Sequence, residues 1–262
     1  MKVDIFDLHG QPKGKIDLPK IFGEPVREDL IRRAVLSTLS KRRQPYGVNV
    51  MAGKRTSAHY HGYRRHRYTM MNKEMARMPR IHGKVSPHLS MKPRFVPQTR
   101  GGRMAHPPKV EKIWEEKINK KERQKAIRSA IAATAVKELV LKRGHKFEKE
   151  VPIVVEDKIQ EIKKTRELIE LLKKIGLGKE LERIEQKKVR AGKGKSRGRR
   201  YKKKKGPLLI IVKNEGIGRA VKNIQGMNVC RVENLSAEYL APGAQLGRLA
   251  IFTKSAIEKL GE

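Results

Sequence analysis

The sequence predicts an α/β fold: a three-layer domain built on a mostly parallel sheet of about four strands, with a long extended basic internal loop. Three observations carry that reading. Short apolar runs at 151–155, 208–212, 228–232 and 249–253 alternate with helix-length stretches, and that order belongs to parallel strands covered by helices on both faces. The chain carries 63 Lys and Arg against 27 Asp and Glu, a formal net charge of +36 over 262 residues. The excess is also segregated. Residues 42–110 contain 16 Lys and Arg and one acid, and residues 187–206 contain 12 and none, which leaves only +9 on the other 173 residues.

The elements follow in order. Val3 and Ile5, then Ile16 and Leu18, flank His9-Gly10-Gln11-Pro12-Lys13-Gly14 and predict an N-terminal hairpin. A helix begins after Pro25, with Val26, Leu30, Ile31, Ala34, Val35 and Leu39 on one face, and stops before Gln44-Pro45-Tyr46-Gly47. Asn119 and Glu122 have the spacing of a capping box, opening a helix through Ala126, Ile127, Ala130 and Ile131 to Leu141, with Arg143-Gly144 as its stop. Val151–Val155 reads as a buried strand. Leu168, Ile169, Leu172 and Ile175 form a helix face closed by Gly176. The runs LLIIV, NVCRV and LAIFT are three further strands, the last followed by a short helix from Ser255. The expected domains are therefore 1–41 and 111–262 as one α/β body, interrupted by a basic loop at 42–110 and bearing an exposed basic loop at 187–206.

The first basic segment holds seven of the 13 prolines, six glycines, six of the eight histidines and seven of the nine methionines. It has no sustained helical or strand period, and a stretch of that length does not pack inside a compact domain. Its prolines favour extended backbone. Doubled back, about 34 residues each way reach at most about 110 Å. Met70, Met71, Met75 and Met78 have partly helical spacing and predict a short local helix.

Charge of this size needs a polyanion, because self-repulsion otherwise opposes compaction. Nucleic acid fits best, since Lys and Arg neutralise phosphates and release counterions. The interleaved run His59-Tyr60-His61-Gly62-Tyr63-Arg64-Arg65-His66-Arg67-Tyr68 suits structured RNA, where guanidinium forks bind phosphates and flat side chains stack on unpaired bases. Arg42, Arg43, Lys54, Arg55, Arg64, Arg65, Arg67, Arg94, Arg100 and Arg103 are the RNA-contacting candidates of this loop. No apolar run approaches the roughly 18 residues of a membrane span, and the N-terminus lacks a signal-peptide pattern, so a cytoplasmic location without membrane contact is expected. No homo-oligomer is expected either. The single cysteine, Cys230, excludes an internal disulfide.

Motifs for chemistry fail one by one. In Ala191-Gly192-Lys193-Gly194-Lys195-Ser196 the glycine that a phosphate-binding loop needs is Val189, and the segment precedes a strand. Gly216 and Gly218 begin a dinucleotide-type pattern whose third position is Val221. His59, His61 and His66 have no Cys, Asp or Glu beside them and stand among Lys54, Arg55, Arg64, Arg65 and Arg67, so no metal is expected there. No catalytic residue, cofactor or metal is assigned. Two rival readings stay open: an RNA-modifying enzyme with a nucleotide-type cofactor at Gly216 and Gly218, and a DNA-binding or compacting regulator.

Five phrases in order, KRRQPYG (41–47), ARMPRIHG (76–83), RGGRMAHPPK (100–109), KVRAGKGKSRGRRYKKKKGP (188–207) and LAPGAQLGRLAIFTKSAIEKL (240–260), give the chain a resemblance. It resembles the ribosomal large-subunit protein four family in its archaeal and eukaryotic form. The resemblance implies a non-enzymatic subunit component that binds large-subunit ribosomal RNA, aids assembly, and meets neighbouring ribosomal proteins. It further implies that the internal loop runs to the nascent-peptide exit tunnel, with Arg77, Met78, Pro79, Arg80, Ile81 and His82 at the tip, near the nascent peptide. Lys193, Lys195, Arg197, Arg199 and Arg200 match the family's basic RNA-contacting loop. Ser57–Lys73 departs from the pattern, being rich in His, Tyr and Met where relatives are glycine-rich.

Overall fold

A computed structural model describes residues 2–261. The chain divides into two compact units, one made of residues 2–42 and 115–261 and the other of Arg43–Trp114.

The first unit is built on strands β1 (Lys2–Phe6), β2 (Pro12–Asp17), β3 (Ile153–Val155), β6 (Leu208–Ile211), β7 (Asn228–Arg231) and β8 (Ala250–Thr253), with a separate pair, β4 (Lys188–Val189) and β5 (Tyr201–Lys202). The six-stranded sheet has the order β2-β1-β3-β8-β6-β7. Only β1 and β2 are antiparallel. The expected four strands are therefore six, because the N-terminal hairpin joins the parallel sheet along β3. Its turn is held by Asp7, whose carboxylate accepts the amides of His9 (2.8 Å) and Gln11 (2.9 Å).

Alternation along the strands divides the core in two. Ile153, Val155, Leu209, Ile211 and Ile251 face α4 (Thr165–Leu172), α5 (Gly178–Glu185) and α6 (Ile217–Lys222) through Leu168, Leu172, Ile184, Ile217 and Val221. Val154, Leu208, Ile210, Ala250 and Phe252 face α1 (Glu28–Lys41), α2 (Lys120–Ala135), α7 (Ala237–Leu240) and α8 (Lys254–Gly261). Phe22 meets Phe252 edge to face at 5.4 Å.

Two helices differ from expectation. The helix from Asn119 does not run unbroken to Leu141; it breaks at Val136 (φ −90°, ψ 105°), and α3 (Lys137–Lys142) follows. Ile131 of α2 packs in one layer and Val140 of α3 in the other, so the break is where the chain passes between layers. Asn119 makes no side-chain cap; the Glu122 carboxylate instead meets Arg33 at 3.0 Å. Gly176 (φ 95°) does interrupt the next helix, yet α5 begins directly at Gly178.

Few charges are buried, and each is hydrogen-bonded. The fully buried Glu180 carboxylate accepts from His145 Nδ1 (2.7 Å), Arg183 Nη2 (2.6 Å) and the amide of Lys146 (3.0 Å). Burial alone would raise its pKa, but the bonds from Arg183 and His145 prevail and lower it. Burial holds the His145 imidazole below its ordinary value. Both groups then work in the same direction. The unfolded chain binds protons that the folded one refuses, so stability is full above pH 6.5 and falls as the pH drops below it, with Glu180 adding to the loss below 4.5. Glu180→Gln, which strips the charge from a buried pair, should cost about 3–5 kcal/mol in urea unfolding at pH 7. An unchanged midpoint would show that the network contributes nothing.

Candidate nucleic-acid interface

Two segments carry about three quarters of the excess charge. Residues 187–206 form a hairpin arm, in which β4 and β5 pair Lys188 with Lys202 and Val189 with Tyr201. The turn is tight: Gly192 and Gly198 have φ of 75° and 73°, and the amides of Arg197 and Arg199 both donate to Gly194 O. Gly194-Lys195-Ser196 thus lies in a hairpin turn with no helix following it, which excludes a phosphate-binding loop of the helix-N-terminal kind. Lys193, Lys195, Arg197, Arg199 and Arg200 are all exposed.

The base of this arm is fixed by buried cations that sequence reading does not single out. Arg248, 1% exposed, donates to Gly206 O (2.9 Å), Tyr239 O (2.9 Å) and Asn228 Oδ1 (2.7 Å), with longer contacts to Pro207 O and Gly226 O. Burial pulls its pKa down to about 10. Arg183 adds a bond to Lys205 O at 2.7 Å. Gly226 (φ 73°) lies so close that an added Cβ would stand 2.4 Å from Lys204 O. Motif spacing could not reveal Arg248; its only signal is a charged residue directly before the apolar run LAIFT.

The other cationic segment is the second unit, Arg43–Trp114. The ends where the chain leaves and re-enters the first unit are tied there: Lys41 meets Glu115 (2.9 Å), Ser37 Oγ donates to Glu116 O (2.7 Å), and the Glu116 amide donates to Ser40 Oγ (3.0 Å). Arg42 is occupied locally, pairing with Glu238 at 2.7 Å. Within the second unit, Tyr46 stacks on Trp114 (5.4 Å), and Arg43 lies over the same indole at 4.2 Å. The Val48 amide donates to Pro108 O, and a Cβ on Gly53 (φ 72°) would meet Arg103 backbone at 2.6 Å, so the two limbs run in close contact.

Beyond those limbs the chain forms a small folded head. His59, Arg80 and Pro93 join in isolated antiparallel bridges, and Ile81 exchanges bonds with Lys92 and Met91. Met70, 3% exposed, is buried here. The helix expected over Met70–Met78 is absent; those residues form turns, and one short helical turn lies at Pro87–Leu89. Arg80 points inward, its guanidinium donating to Met91 O (2.8 Å) and Ala76 O (3.0 Å). Of the six tip candidates, Arg77 is exposed, Met78, Pro79, Ile81 and His82 are half-buried, and Arg80 is buried. Lys54, Arg55, Arg64, Arg65, Arg67 and Arg100 are exposed; Arg94 and Arg103 are half-buried. Arg67 lies over Tyr68 and Arg103 over Phe95.

The histidines pack together. His61 Nε2 approaches His82 Nε2 at 2.8 Å, His66 stacks on His61, and Tyr68 stacks on His82. Burial first, then the neighbouring imidazoles, hold His61 and His82 below the ordinary value. Electrostatically the decisive feature is uncompensated charge. Among the described residues, no Lys or Arg from 43 to 112 or from 187 to 205 forms an ion pair, whereas pairs are common in the rest of the chain. At the Gly216 turn, the Gly218 amide donates to Asn214 Oδ1 (3.1 Å), so this donor is satisfied within the chain. Burial pushes the Cys230 thiol up to about 11, far from a reactive thiolate.

The sequence matches the Ribosomal protein L4/L1 family over residues 16–262. The chain belongs to that family. Curated relatives are similar over their whole length. The large ribosomal subunit protein uL4 of Methanosphaera stadtmanae is 47% identical over 100% of this chain and 96% of its own. That of Archaeoglobus fulgidus is 46% identical over 100% and 99%, and that of Nanoarchaeum equitans 47% over 100% and 98%. A member of the L4/L1 family with two unpaired cationic segments should separate stability from anion binding. Replacing Lys193, Lys195, Arg197, Arg199 or Arg200 by Gln should change folding stability by less than about 0.5 kcal/mol each. The five together should elute from heparin at clearly lower salt. Unchanged elution with a lowered melting temperature would mean the arm serves the fold instead.

Proposed function

We propose that this chain is a structural, non-catalytic component of the large ribosomal subunit that binds large-subunit ribosomal RNA and aids its assembly. The observation that carries the reading is the pair of cationic segments whose Lys and Arg make no ion pair among the described residues, in a chain whose relatives are named as large-subunit proteins. Lys and Arg side chains that find no carboxylate within their own fold are free to neutralise phosphates. In the hairpin arm, Lys193, Lys195, Arg197, Arg199 and Arg200 supply those contacts. In the second unit they come from Arg43, Lys54, Arg55, Arg64, Arg65, Arg67 and Arg100, with Arg94 and Arg103 more enclosed.

The arrangement suits threading into folded RNA. Tied ends at Lys41 and Glu115–Glu116 let a long excursion leave and re-enter at one place. Exposed Tyr60 and Tyr63 offer flat faces for unpaired bases. Arg77, exposed among the tip residues, is the best candidate to face a nascent peptide in the exit tunnel; Arg80 holds the tip's backbone. Neighbouring ribosomal proteins are further partners, and the location is cytoplasmic, within the subunit. Among the described residues no helix is long and apolar enough to cross a membrane.

The rival enzyme reading loses support where it was strongest. A donor of the Gly216 turn is occupied by Asn214, and Lys163 methylenes stand 2.7 Å from where a Gly216 Cβ would lie. The RNA reading is tested by salt. About ten phosphate contacts predict that affinity for large-subunit RNA falls by roughly 10³–10⁵ between 50 and 200 mM salt. A flat salt response would contradict it.

A further inference from the structure

We propose that His59, His61 and His82 form a binding site for a divalent transition metal of the zinc class, one that clips the folded head of the second unit. One ring nitrogen from each residue lies within 4.8 Å of the other two. The closest pair, Nε2 of His61 and Nε2 of His82, stands at 2.8 Å. Two imidazole nitrogens this close can share only one proton, so at least one lone pair points into the cluster. A tetrahedral ion with bonds of about 2.0–2.1 Å holds its ligands about 3.3 Å apart. The observed separations, from 2.8 Å to at most 4.8 Å, bracket that spacing.

The surroundings fit a ligand set. His59 Nδ1 lies 3.4 Å from Ser57 O; a proton on that nitrogen leaves Nε2 with its lone pair, as a carbonyl partner does for metal-bound histidines. The Tyr68 ring is stacked on His82 at 4.5 Å and His66 on His61 at 3.9 Å, which restrains both ligand rings. Borderline nitrogen ligands without carboxylates select zinc, nickel or copper over magnesium and calcium.

The sequence argued against a metal because no Cys, Asp or Glu stands beside His59, His61 and His66 and because cations surround them. The structure changes both terms. His82, 21 residues beyond His61, completes the cluster, while His66 Nδ1 accepts the Tyr68 amide. The Arg80 guanidinium is turned onto Met91 O and Ala76 O, and Arg67 lies over Tyr68. Arg64 and Arg65 are exposed, where salt screens them. A clip between His61 and His82 also answers a structural need. The head buries little apolar surface beyond Met70, and closing such a segment with a metal removes much of its unfolded freedom.

The test is titration of the full, chelator-stripped chain with cobalt(II) and zinc(II), with nothing else bound. One equivalent should bind and give the intense visible bands of tetrahedral cobalt, and zinc should displace it. X-ray absorption at the zinc edge should show imidazole nitrogens at about 2.0 Å. H61Q and H82Q should each weaken binding at least about 100-fold, the upper range for losing a mere supporting partner, while H88Q and H106Q should not. Absence of binding overturns the proposal. So does uptake of several equivalents with weak octahedral spectra, or uptake that H61Q and H82Q leave unchanged. The wild-type spectra decide the matter even where a variant folds poorly.

Discussion

The arrangement of this chain turns on mutual repulsion among 63 Lys and Arg side chains that outnumber the acids by 36. Like charges about 4 Å apart in water repel by about 1 kcal/mol, and by several times that where solvent is partly excluded. A core can therefore form only where the cations have been removed from it. The sheet strands β3, β6 and β8 meet that condition, being fully buried runs without charge. The helices that cover them pair their surface cations with acids, as Arg33 does with Glu122 and Arg166 with Glu170. In residues 43–112 and 187–205, among the described residues, no Lys or Arg pairs with an acid, and the cationic excess is densest there.

Segregation alone would leave these segments unplaced, and the fold supplies anchors for both. The arm's root is captured by guanidinium groups of Arg248 and Arg183 through backbone carbonyls of Gly206 and Lys205. Carbonyls, which carry no net charge, can satisfy a buried arginine without neutralising it, and the arm's own field stays intact. At the other segment, Ser37, Ser40 and Lys41 bind the returning chain at Glu115 and Glu116. What is held firmly is the entrance to each cationic segment, while the cations beyond it stay available to a polyanion.

Much of this was legible in the sequence because it rests on local signals. The four apolar runs, the N-terminal hairpin and both charge blocks come from period and composition, and each has its counterpart in the structure. The strand count was low because pairing of β1 with β3 joins residues about 150 apart, a link that no local pattern encodes. The break at Val136 was hidden for a similar reason: alanine-rich text from Ala130 to Ala135 favours an unbroken helix, and only the two-layer packing demands the turn. In the loop, the methionines suggested a helix, but Arg80 bonds to the carbonyls of Ala76 and Met91 and the bridges at His59 and Pro93 draw the chain into turns. Contacts of that kind have no period to read. The cations proposed to meet RNA could be listed from charge alone, but their division into exposed and enclosed members could not.

The most direct test of the central claim, that residues 43–114 and 187–206 exist to meet RNA, is protease footprinting. The full chain would be digested in chelator, free and bound to large-subunit ribosomal RNA. Rapid cleavage within both segments when free, with protection of both in the complex while the α/β unit resists throughout, is the predicted result. Resistance of both segments without RNA, or their continued cleavage in its presence, would contradict the account.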